Sequence, residues 1–162
     1  MIAFPVLAAI IQVALPQGPH TIITPLTPAE LPPALTARVL AAAPGLTITG
    51  AERKEREDRI YFDVAGQRPD GAEIELDVQQ IDGDFDIVEI QRDLAFDDMP
   101  EPVRALTASA LGQNRPARII ESVQKDGVAI FELFAPGQPG EPSAEVRFEN
   151  GEAKFLTERW PH

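Results

Sequence analysis

The chain has 162 residues, 44% hydrophobic and 25% charged, enough apolar material for one good core or two small packed units and unlike a disordered chain. Its net charge of -12 argues against nucleic acid or an anionic membrane as partner, since both need a cationic face. There is no cysteine, and His20 and His162 are the only histidines, so disulfides, thiolate sites, cysteine nucleophiles and His-based triads lack their residues.

Residues 1–18, MIAFPVLAAIIQVALPQG, hold an apolar run too short to span a membrane but of the right length for a secretory signal core. No Lys or Arg precedes it; an export leader is nevertheless the expectation here, with a periplasmic or secreted bacterial protein as the result. Thr27-Pro28-Ala29-Glu30 reads as a capping box, and a single turn leads into a helix over residues 32–43. Leu31, Leu35, Val39 and Ala42 form its apolar stripe, and Pro44-Gly45 stops it.

Strand signals follow. Residues 46–56 are expected as strand, ending in the highly charged ERKERED run from Glu52. Ile60, Phe62 and Val64 then alternate with Tyr61 and Asp63. Ile74, Leu76 and Val78 alternate with Glu73, Glu75, Asp77 and Gln79, the pattern of a strand with one buried face. Asp82-Gly83 predicts a hairpin turn into a strand over residues 84–92. Asp98 and Pro100 open a second helix with Val103, Leu106, Ala110 and Leu111 on one face, up to Gly112. Four more strands are expected at 118–125, 128–134, 143–149 and 152–159, with turns at Asp126-Gly127, residues 136–142 and Asn150-Gly151.

The two halves correspond at an offset of about 68 residues. Leu31-Pro32 falls on Met99-Pro100, Glu52 on Glu121, Phe62-Asp63-Val64 on Phe131-Glu132-Leu133, Gly71 on Gly140, Gly83 on Gly151 and Glu89 on Glu158. The fold expected is therefore α+β, with two tandem repeats (19–96 and 97–162), each a helix packed on a roughly four-stranded antiparallel sheet. The leucine-proline helix start, Pro-Gly helix end, aromatic-acid-aliphatic triplet and paired X-Gly turns resemble the PepSY-like domains. That family is related in fold to the tandem-repeat β-lactamase inhibitor proteins. The resemblance implies an exported protein whose sheets grip another protein, as the inhibitors do with a concave surface. This chain departs from the inhibitors in having no cysteine to staple its repeats. It also has no motif matching their contact residues, so no contact residue is carried over.

Catalytic constellations are weak. Ser109, Ser122 and Ser143 lie outside any G-x-S-x-G elbow, and there is neither a phosphate-binding G-x-G-x-x-G nor a P-loop lysine. Neither an enzyme nor a cofactor is expected. Asp82, Asp84 and Asp86, with Glu89 beyond, form a weak metal candidate. Their spacing does not match an EF-hand, and a type I′ turn accounts for them. The outward strand faces supply the partner-binding candidates: Tyr61, Asp63, Glu73, Glu75, Asp77 and Gln79 in the first half, and Ile130, Glu132, Glu145 and Arg147 in the second. Acidity is concentrated in the first: residues 31–98 hold 16 acidic and 7 basic side chains, residues 99–162 hold 9 and 7. The function expected is binding, with possible inhibition or regulation, of a protein such as an envelope protease or hydrolase through the sheet surface. The alternative is a periplasmic protein that binds a divalent cation or small ligand through its acidic hairpins.

Overall fold

The computed structural model describes residues 21–111, 115–137 and 140–160. The expected leader at 1–18, His20, His162 and the helix end at Gly112 lie outside them. The elements in chain order are β1 (Ile22–Leu26), α1 (Pro33–Ala42), β2 (Thr47–Arg56), β3 (Arg59–Gln67), β4 (Glu73–Ile81), β5 (Asp84–Asp93), α2 (Glu101–Ala110), β6 (Arg118–Gln124), β7 (Ala129–Phe134), β8 (Ala144–Glu149) and β9 (Glu152–Phe155). A short 3-10 turn precedes each helix, at Pro28–Glu30 and Phe96–Asp98. Before α1, the Glu30 carboxylate accepts both the backbone N–H and the hydroxyl of Thr27 at 2.7 Å, closing the capping box.

The expectation of two separate helix-on-four-strand units is overturned. Among the described residues nine strands form one antiparallel sheet in sequential order, accompanied by two short helices. The join is β5 with β6, which pair from Glu89↔Gln124 to Asp93↔Ile120. Left apart, those two strands would each present unpaired N–H and C=O groups in the middle of the protein, and pairing them removes both edges. A further strand, β1, extends the sheet on the outer side of β2, where Pro25 is tolerated because the edge needs no donor.

Both helices lie on the same side of this sheet, over two apolar clusters. Leu31, Leu35, Val39, Phe62, Val64, Ile74, Leu76 and Val78 form the first; Met99, Val103, Ile119, Phe131, Leu133 and Val146 form the second. Phe62 meets Phe85 edge-on in the first and Phe131 meets Phe148 edge-on in the second. Among the described residues no helix lies on the other face, which carries the acids of β3 and β4 in the first half and the buried Ile120, Ile130 and Glu132 in the second.

Turn chemistry sets the registers. Asp82-Gly83 and Asn150-Gly151 both have two consecutive positive φ values, 52° and 89° in one and 51° and 82° in the other. These are the tight hairpin turns expected from Asp-Gly and Asn-Gly. The β2–β3 turn does the same with Glu57 and Asp58, at φ 51° and 61°, without a glycine to mark it in sequence. In β5 a bulge changes the phase. Val78 faces Ile87, but Asp77 faces Glu89, so Phe85 and Ile87 and then Ile90 all point to the helix side. The last strand stops at Phe155, short of the expected 159, because the chain then folds back over the polar face.

Among the described residues no helix is long and apolar enough to cross a membrane. Gly66 in β3 sits beneath Leu46, and a Cβ there would come within 2.7 Å of the Leu46 side chain. Gly66→Ala is therefore expected to destabilise the fold by about 1–3 kcal/mol through overpacking, read as a lowered midpoint in urea unfolding. An unchanged midpoint would show that Leu46 moves aside freely.

Candidate functional site

The sheet face opposite α1 and α2 is organised by cross-strand rows. One row runs Glu52–Asp63–Asp77–Glu89–Gln124 across β2 to β6, with each residue directly opposite the next. A neighbouring row runs Ala65–Glu75–Gln91–Ser122–Ile130–Arg147. A third runs Lys54–Tyr61–Gln79–Asp86. Directly opposed residues have Cβ atoms about 5 Å apart, and like charges facing each other there are destabilising. Four carboxylates in succession, with Glu75 on the adjacent row, thus form an electrostatically costly arrangement with Lys54 as the cation set among them.

The alternation that buries Ile74, Leu76 and Val78 on the helix side forces Glu75 and Asp77 to this side, together with Asp63 of β3. Carboxylate oxygens of Asp63, Glu75 and Asp77 converge to within 4.8 Å of one another. Lys54 pairs with Asp63, while Gln91 donates its amide to Glu89 at 2.9 Å. Asp77 is the most deeply set of the three. Its Oδ1 is shielded from solvent and has no hydrogen-bond partner.

Proton affinities reflect this crowding. Burial, then the charge of Asp63 with further repulsion from Glu52 and Glu89, pushes Glu75 up to about 7. Burial and the charges of Asp63, Glu89 and Glu75 hold Asp77 well above the usual aspartate range. Burial also raises Asp63, against the pull of Lys54. For Lys54, burial favours the neutral amine, but the Asp63 carboxylate more than reverses this and holds Lys54 above its ordinary value. The three carboxyls therefore bind their protons more tightly than free ones do.

All ten expected binding residues lie on this one face, but not all lie outward. Tyr61, Asp63, Glu75, Asp77, Gln79 and Arg147 are half-buried, Glu73 is exposed, and Ile130, Glu132 and Glu145 are buried. Asp82, Asp84 and Asp86 do not converge. The first belongs to the hairpin turn, and Asp86 pairs with Lys125. The acids that do converge come from three different sequence positions on two strands.

In the second half of the sheet the pair Glu132↔Glu145 occupies the place that Asp63↔Asp77 holds in the first. There the chain after β9 returns across the face. The Leu156 N–H bonds the Glu145 carbonyl at 2.9 Å. The Trp160 N–H donates to the Glu145 carboxylate at 2.6 Å, and the Arg159 guanidinium lies 3.6 Å from its other oxygen. Arg159 also reaches Glu141 and the Pro142 carbonyl, each at 3.1 Å. Trp160 then lines a shallow depression of about 410 Å³ with Val88, Gln124, Lys125 and Asp126.

Sequence reasoning missed Glu52 and Lys54 as members of the site, grouped Glu89 with the Asp82–Asp86 hairpin instead of with Asp77, which it faces, and missed Arg159 and Trp160 altogether. The placing of Glu52 opposite Glu121 in the repeat alignment was one residue out. Register sets Glu52 opposite Asp63 and Ile120 opposite Glu132, so Glu52 corresponds to Ile120, and Glu121 faces the helix side. The chain matches no family model, no curated protein and no solved structure.

The raised carboxyl of Glu75 has a direct consequence for stability. Its ordinary value is 4.5 and its folded value about 7, so below about pH 4 both states are protonated and the group is neutral to folding. As pH rises through that window the unfolded chain gives up the proton first, and stability falls until about pH 8. The loss from Glu75 is at most about 3 kcal/mol. Urea unfolding of Glu75→Gln between pH 5 and 8 is expected to show a shallower decline than the parent chain; parallel curves would refute the assignment.

Proposed function

We propose that this chain is a binding protein that takes a positively charged partner group on the sheet face opposite α1 and α2. The observation that carries the reading is the convergence of Asp63, Glu75 and Asp77 beside Lys54, on a row that continues to Glu52 and Glu89, with an unbonded Asp77 oxygen among them. Among the described residues Lys54 is the cation that reaches Asp63, Glu75 and Asp77, and a cationic ligand would add the further charge that stabilises their ionised forms. In this reading the chain is an exported, non-enzymatic PepSY-like protein. Its partner is a protein, such as an envelope protease or hydrolase, that offers a basic patch. The raised carboxyls would also suit a general acid or base. Binding is the better account because an incoming cation would offset the mutual repulsion that adds to burial in raising Glu75 and Asp77.

A second reading is carried by the convergence of Asp63, Glu75 and Asp77 oxygens within 4.8 Å, a span that a hard divalent ion coordinated at about 2.4 Å could bridge. Here Lys54 competes for Asp63.

Spermine tests the general reading, because it offers positive charge without a particular geometry. At low ionic strength it is expected to raise the thermal midpoint of the parent chain above that in matched NaCl. In the double variant Glu75→Gln with Asp77→Asn, most of that rise should vanish. Equal shifts in both chains would place the effect on surface charge at large and remove the support for this face. Calorimetry with CaCl2 separates the second reading: one tight site lost on Asp77→Asn supports it, and no heat at millimolar Ca²⁺ sinks it.

A further inference from the structure

The protein contains its own example of what occupies this kind of acidic pair. Glu145 and Asp77 hold corresponding places, each facing an acid of the preceding strand, Glu132 in one case and Asp63 in the other. Both come from strands whose opposite face is buried against a helix. Glu145 is almost fully buried, with 6% of its side chain exposed, yet it is satisfied by a backbone N–H and a guanidinium from one returning segment. Among the described residues no segment returns over Asp77 in this way, and its Oδ1 accepts no hydrogen bond. Counting back by the repeat offset, the stretch that returns over the face in the second half corresponds to residues 88–92 in the first. Those residues stay in the sheet as the later part of β5, paired with both β4 and β6. The bulge before Glu89 keeps them there, and it adds Glu89 to the acid row instead of adding a cation.

From this correspondence we infer that Asp63, Glu75 and Asp77 receive an arginine carried on an extended segment of a partner protein, as Glu145 receives the chain's own Arg159 and Trp160. The inference rests on the reading of this face as an acceptor of positive charge, and names the partner's chemistry. Arginine suits the geometry better than lysine. Its planar fork can donate to two carboxylates at once, whereas Lys54 already supplies a point charge to Asp63. An adjacent backbone N–H on the same segment can reach the buried Asp77 oxygen, as the Trp160 N–H does at Glu145. Tyr61 and Gln79, half-buried on the next row, border the place where the flanking side chains would lie.

The test uses the full chain and a fluorescein-labelled peptide of alternating arginine and serine, read by fluorescence anisotropy at low salt. Binding is expected, and Asp77→Asn is expected to weaken it about tenfold or more. Asp84→Asn removes the same charge from the exposed β4–β5 hairpin and should leave affinity within about twofold. Glu75→Gln serves as a second local variant should Asp77→Asn fail to fold. Replacing arginine by lysine in the peptide should weaken binding several-fold. Equal weakening by Asp77→Asn and Asp84→Asn, or indifference to lysine for arginine, overturns the inference. If the peptide does not bind while spermine or CaCl2 still stabilises the chain through Asp77, the arginine inference falls and the cation-acceptor reading stands. If none of the three acts through Asp77, both fall.

Discussion

Everything on the polar face follows from the period of two along β3 and β4. The helix side must bury Phe62, Val64, Ile74, Leu76 and Val78, and all five are buried. A slip of one residue in either strand would carry Asp63 or Asp77 into that core and send leucine and valine to the other side. Full burial of each such side chain contributes about 1.5–3 kcal/mol. Opposed like charges across strands cost only a fraction of that. The apolar side therefore decides the register, and the carboxylates are left facing one another. The raised proton affinities of Glu75 and Asp77 are the chemical expression of that outcome.

The continuity of the sheet has a similar cause. Each helix covers one apolar cluster, so the two halves need not share a core, and they do not. What they share is backbone. The pairing of β5 with β6 satisfies two rows of donors and acceptors that side chains could not have satisfied between separate units. It also brings Gln124 into line with the acid row and Ser122 beside Gln91, which gives the polar face its length. Arg92 of β5 pairs with Glu121 of β6 at 2.5 Å across the same join, on the helix side.

Much of this was legible in the sequence, and the failures have definite origins. Strand phases were readable because Ile74, Leu76 and Val78 alternate cleanly with acids, and the Asp-Gly and Asn-Gly turns fix two of the hairpins. The β2–β3 register was not readable, since Glu57 and Asp58 adopt positive φ without glycine or asparagine to mark them. Without that register Glu52 and Lys54 cannot be placed against Asp63 and Tyr61. The bulge in β5 was in principle visible, because Phe85, Ile87 and Ile90 cannot all face one side of an unbroken strand. Overlooking it hid Glu89. The joining of the halves rests on backbone pairing between β5 and β6, which leaves almost no trace in side-chain pattern. The weak metal candidate at Asp82, Asp84 and Asp86 was built on closeness in sequence, whereas the acids that converge do so across strands.

The two halves differ most where a shared problem is solved in two ways. Each places an acid pair on the polar face, and each pair is set back from solvent. In the second half the chain runs out of sheet at Phe155, so its next residues are free to fold over and supply Arg159 and an N–H to Glu145. In the first half the strand must continue to Asp93, because β6 pairs with it there. Continuity of the sheet and self-neutralisation of the first acid pair are thus in direct competition for the same residues. Continuity prevails, since it satisfies a whole row of backbone groups where a returning segment would satisfy one carboxylate. Lys54 answers Asp63, and burial with the neighbouring charges raises the proton affinity of Glu75 and Asp77. The unbonded Asp77 oxygen on the first half is therefore a consequence of how the halves are joined, since the residues that correspond to the returning segment are held in the sheet by β6.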